Sequence, residues 1–210
     1  MQAVNYRFMA KPLRLAPTTV VIAKALIHLG VLAYLGSLFW LAVLDKLGAD
    51  PVKALLHQTG VAAIVLLLVS LTLSPLARHL PCGDLIKFRR LVGLYAFFAA
   101  LVHITTYIAF EIQLDFALVL EDIVERPYIT VGFIAFVILL VLAITSPMAI
   151  RKRLKRNWQR IHNGVYVALI LGLLHFSWSV KTALQDPLIY WLIGLTLLSH
   201  RVWLKAKKRK

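Results

Sequence analysis

Six stretches of this chain read as apolar segments long enough to cross a bilayer, which needs about 20 residues of helix. They cover roughly residues 20–44, 54–74, 91–110, 127–147, 161–180 and 188–204. Inside them the charged residues are Lys24, near the start of the first, and Arg201, near the end of the sixth. A long cationic side chain at a helix end can snorkel to the headgroups. The pattern predicts an all-α polytopic membrane protein, a six-transmembrane-helix bundle. Six helices leave no room for a separate soluble domain in 210 residues, so one domain over 1–210 is expected. No convincing internal repeat shows in the sequence, only a lysine-rich tail.

The connecting segments set the orientation. The N-terminal stretch carries Arg7, Lys11 and Arg14 ahead of Lys24. The second loop is positive through Arg78, Lys87, Arg89 and Arg90, and the fourth through Arg151, Lys152, Arg153, Lys155, Arg156 and Arg160. The tail holds Lys205, Lys207, Lys208, Arg209 and Lys210. The first and fifth loops are balanced, and the third is acidic through Glu111, Asp115, Glu121, Asp122 and Glu125. Positive and non-positive segments alternate, so the positive-inside rule places both termini in the cytoplasm.

Composition agrees with this reading. The chain is 60% hydrophobic, with mean hydropathy +0.80 and net charge +15. In a soluble domain that charge would suggest nucleic acid; here it lies in short loops, where membrane lipid explains it and no nucleic acid is expected. The single cysteine, Cys82, excludes an intramolecular disulfide, a covalent Cys-x-x-Cys-His heme site and a cysteine-ligated iron–sulfur cluster. The first apolar stretch is too long for a signal-peptide core and is expected to remain as an anchor. No phosphate-cradling glycine loop, serine elbow or His-Glu-x-x-His motif is present, so no catalytic residues are assigned.

The candidate chemistry lies in two histidines set deep in apolar segments. An ionisable side chain in hydrocarbon is costly and usually functional. His103 lies 12 residues past Leu91 and His175 lies 14 past Ile161, roughly 18 and 21 Å from the inner edge. Two neutral imidazoles at matched depth on different helices suit bis-histidine ligation of one heme iron. Gly93, Ala99, Ala100 and Gly172 would leave space for a flat macrocycle. The plain alternative is that each histidine only hydrogen-bonds a neighbouring helix. At the inner level His162 stands at a depth similar to that of Arg89, with Arg90 beside it. These three form a candidate site for a second heme, a heme propionate, an anionic flavin such as FMN, or a quinone.

The strings around these residues are specific. Leu101-Val-His103-Ile-Thr-Thr-Tyr107, Trp158-Gln-Arg-Ile-His162-Asn-Gly-Val-Tyr166 and Leu174-His175-Phe-Ser-Trp-Ser-Val-Lys181 occur with Leu47-Gly-Ala-Asp-Pro51 and Arg126-Pro-Tyr-Ile-Thr130. Together they resemble the MsrQ (YedZ) family, the heme-binding membrane subunits of bacterial periplasmic methionine-sulfoxide reductases, within the wider ferric-reductase-like transmembrane domains. The resemblance implies a multi-pass inner-membrane protein that binds heme b through His103 and His175. It implies electron transfer from the quinone pool, with FMN as an intermediate carrier, to a periplasmic molybdopterin enzyme of the MsrP type that repairs oxidised proteins. The chain itself is then a non-catalytic electron-transfer subunit. Two-heme ferric reductases carry two histidines on each of two helices; this chain has Arg89 where the inner histidine of the third helix would fall. The rival readings are another quinol-oxidising cytochrome b, a ferric reductase membrane subunit, and a cofactor-free transporter or scaffold.

Overall fold

A computed structural model describes residues 13–180 and 185–207. Arg7, Lys11, Lys181 and the last three residues, which belong to the charge pattern above, lie outside the described residues. Eight helices follow one another: α1 (Pro17–Val43), α2 (Pro51–His79), α3 (Arg89–Thr106), α4 (Phe116–Glu125), α5 (Pro127–Ile144), α6 (Met148–His162), α7 (Gly164–Ser179) and α8 (Gln185–Lys207). A 3-10 segment, Gly83–Phe88, leads into α3, and a π turn, Tyr107–Glu111, closes it. No strand occurs among the described residues. Six segments are long and apolar enough to cross a membrane, as the hydrophobic pattern predicts.

Local chemistry explains where helices begin. α1, α2 and α5 each start on a proline, whose missing N–H and fixed φ suit the first helical turn. Before α2, Gly48 adopts φ +103°, a conformation open to glycine, and the Asp50 carboxylate then accepts from the Lys53 backbone N–H at 3.0 Å. The Leu47–Pro51 string is therefore a turn followed by an N-cap.

Two helices fall where the apolar windows predict only loop. α4 is amphipathic and stands on the acidic third loop; α6 carries the basic cluster, with a break at Lys155, where φ is +45°. Hydropathy windows detect lipid-facing helices, and charge does not prevent a helix at a water interface.

Packing divides the bundle into two antiparallel pairs, α2 with α3 and α5 with α7, while α1 and α8 lie outside them. Where the pairs meet, Leu68, Ala96, Leu139, Leu169 and Leu173 form a buried core. Tight helix contact uses small residues: a Cβ on Gly93 would lie 3.1 Å from Ser70 Oγ. The pairs also repeat one another. Ser74-Pro75 near the end of α2 recurs as Ser146-Pro147 after α5, and the histidines, as described next, hold equivalent places. The expectation of no internal repeat is thus corrected; the similarity rests on too few identical residues to show without the helix pairing.

Candidate functional site

His103 on α3 and His175 on α7 approach one another across the two pairs. Their ring centroids are 6.0 Å apart and their planes cross at 81°. A separation of this size would let both rings reach one metal ion, whose bonds to imidazole nitrogen are about 2 Å long. Each ring is anchored in the same way. His103 Nδ1 lies 3.0 Å from the Leu56 carbonyl and His175 Nδ1 lies 2.7 Å from the Tyr128 carbonyl, each partner 47 residues upstream. A carbonyl only accepts, so each Nδ1 carries the proton and donates it. Each Nε2 is then left with a free lone pair, the tautomer that metal ligation requires.

A glycine stands one turn after each of those carbonyls. A Cβ on Gly132 would lie 2.6 Å from His175 Nδ1, and one on Gly60 would lie 3.2 Å from His103 Nδ1. Both helices therefore give up a side chain where an imidazole must press against backbone. Thr59 Oγ1 adds a longer contact to His103 Nδ1 at 3.4 Å. Of the four small residues expected to make room for a macrocycle, Gly172 does face open space, with nothing within 4 Å of a Cβ placed there. It lies one turn before His175, on the same helical face. Gly93 instead sits against Ser70, and Ala99 is buried among Leu35, Leu38 and Leu55. The donor set fits a heme: two free imidazole nitrogens on helices of the two pairs, and open space at Gly172, one turn from His175. Gly60, Gly132 and the two carbonyls are not among the residues the sequence analysis singles out. Their signal is the common spacing to the two histidines.

A polar clamp braces the end of the bundle beside the histidine pair. Tyr107 donates its hydroxyl to Asp122, which is buried, and Arg126 Nε reaches the same carboxylate at 3.0 Å. Thr130 Oγ1 donates to the Ile123 carbonyl across the same turn. The clamp ties the π turn after α3 to the start of α5, two residues before the carbonyl that holds His175.

The inner-level residues do not converge on one point. His162 Nε2 meets Thr145 Oγ1 at 3.1 Å and stacks on Trp158 with centroids 4.0 Å apart. Arg90 Nε donates to Ser146 Oγ at 3.1 Å, so His162 and Arg90 grip adjacent residues of the turn after α5. Arg89 lines a separate cavity with Arg78, Tyr166 and Arg201.

Comparison with known proteins identifies the family of the whole chain. A profile for the ferric reductase like transmembrane component matches residues 59–173. The protein-methionine-sulfoxide reductase heme-binding subunit MsrQ of Xanthomonas oryzae pv. oryzae is 43% identical over 92% of this chain and 91% of its own length. The subunits of the same name from Xanthomonas campestris pv. campestris and Klebsiella pneumoniae are 44% and 40% identical, over 91% and 90% of this chain and 91% and 94% of their own. No solved structure matches. The chain belongs to the ferric-reductase-like transmembrane family, in its MsrQ branch.

Proposed function

We propose that this protein is a membrane electron-transfer subunit in which His103 and His175 are the axial ligands of one heme b. The observation that carries the reading is the matched anchoring of the two imidazoles, each with Nδ1–H on a backbone carbonyl and Nε2 turned free. A heme held there supplies a one-electron redox couple inside the bilayer. The Leu56 and Tyr128 carbonyls hold each ring in its Nδ1–H tautomer and raise the basicity of the ligands. Gly60 and Gly132 permit that approach, and the surrounding apolar helices exclude water.

By the distribution of loop charge, both termini face the cytoplasm and the histidine pair lies in the outer half of a bacterial inner membrane. Electrons enter from the quinone pool, directly or through FMN, at the inner end near His162 and Arg90. They leave toward a soluble periplasmic molybdopterin methionine-sulfoxide reductase of the MsrP type. The names of the relatives support a methionine-sulfoxide reductase system as the destination, and sulfoxide chemistry belongs to the partner.

The test is a dithionite-reduced minus oxidised spectrum of the purified full-length chain expressed with ample heme. Sharp b-type bands of a low-spin, six-coordinate iron are expected; a featureless spectrum overturns the reading. Electron delivery to a soluble methionine-sulfoxide reductase, against ferric chelates as rival acceptors, separates this function from a ferric reductase.

A further inference from the structure

A second site lies away from the histidine pair. The ends of α2 and α8 and the starts of α3 and α7 surround a small cavity, partly open to the outside. Three guanidinium groups, Arg78, Arg89 and Arg201, line it, with His200 beside them. Among the described residues none of the three arginines makes an ion pair. Two buried side-chain polar atoms are without a hydrogen-bond partner, Ser74 Oγ and Arg201 Nε, and both residues line this cavity. His200 is itself held, its Nε2 3.1 Å from that of His79, and Arg201 stacks over the Tyr166 ring at 5.8 Å. A hydroxyl and three guanidiniums offer donors, and no carboxylate answers them. A buried donor without an acceptor is costly. The cavity is built for an oxyanion with several acceptor oxygens.

We propose that this cavity binds the phosphate headgroup of an anionic phospholipid. Its other walls are apolar: Leu71, Leu197 and Leu204 offer surface to an acyl chain, which a free phosphate would leave uncovered. It sits at the positively charged end of the bundle, where basic pockets between membrane helices take acidic headgroups. The site stands on geometry separate from the heme reading and does not depend on it.

The experiment is native mass spectrometry of the full-length chain, purified in detergent and supplied with phosphatidylglycerol or phosphatidylcholine. One phosphatidylglycerol should remain bound, with at least tenfold preference over phosphatidylcholine. The variant R78Q/R89Q/R201Q should lose that retention tenfold or more. Ser74→Met, which fills the cavity and removes no charge, should lose it severalfold. The control K152Q/R153Q, on the exposed basic helix, should keep it. Circular dichroism and melting temperature report whether each variant folds, independently of heme content. Equal retention of the two lipids overturns the proposal, as does undiminished retention by folded Ser74→Met. Displacement of the lipid by millimolar inorganic phosphate or FMN also overturns it, because the site would then serve a free phosphate compound.

Discussion

The two levels of this bundle, outer and inner in the proposed orientation, use the same helix pairs for opposite purposes. At the outer level, α3 and α7 each offer a neutral imidazole, each donating to a carbonyl of its partner helix, and the two face one another at 6.0 Å. At the inner level the symmetry breaks. Arg90 and His162 reach the Thr145–Ser146 turn, while Arg89 joins two other arginines around a cavity. Imidazoles can be neutral in hydrocarbon, whereas a guanidinium cannot shed its charge and belongs near headgroups and water. The repeat of the fold therefore yields a matched imidazole pair only at the depth where both copies keep histidine.

The strongest way to break this contrast is to remove an outer ligand. His103→Ala or His175→Ala should abolish heme binding while the protein still inserts, read by the reduced-minus-oxidised spectrum against membrane content. Full heme in both variants would sink the ligand assignment.

The next test sharpens it within the outer level. Gly132→Ala should displace His175 and lower heme occupancy severalfold, because its Cβ would fall 2.6 Å from the ring nitrogen; overpacking of this kind costs about 1–3 kcal/mol. Gly60→Ala, with 3.2 Å available, should retain most of the heme. An order reversed between the two would mean that the imidazoles sit elsewhere.

A smaller effect is expected from the clamp. Asp122→Ala strands the Tyr107 hydroxyl and frees Arg126. It should lower stability by about 1–3 kcal/mol, seen as a lower melting temperature, with a shifted heme potential if the α5 start relaxes.

The least effect on the outer site should come from the inner level. His162→Ala loses one hydrogen bond to Thr145 and a stack on Trp158, about 1 kcal/mol for the bond, and should keep the outer heme. Complete heme loss in that variant would erase the distinction between the levels.

The apolar windows alone were enough to find six spans, because hydropathy acts locally and needs no partner. They equally showed His103 and His175 at one depth, since rise per residue is constant along a helix. They could not show α4 or α6, whose polar faces suit a water interface. Nor could they show Gly60 and Gly132, because a missing side chain matters only where another helix presses against it.

The inner site teaches the same lesson from the other direction. Arg89, Arg90 and His162 share a depth along their helices, and depth was all that spacing could supply. Rotation about each helix axis then sent Arg90 and His162 to one turn and Arg89 to another cavity, joined there by Arg78 and Arg201 from distant segments. Membrane crossing and depth are properties of single helices, so the order of residues was sufficient for them. Which lone pairs are free, which glycines are needed and which charges meet depend on how helices pack side by side, and only the folded bundle decides that.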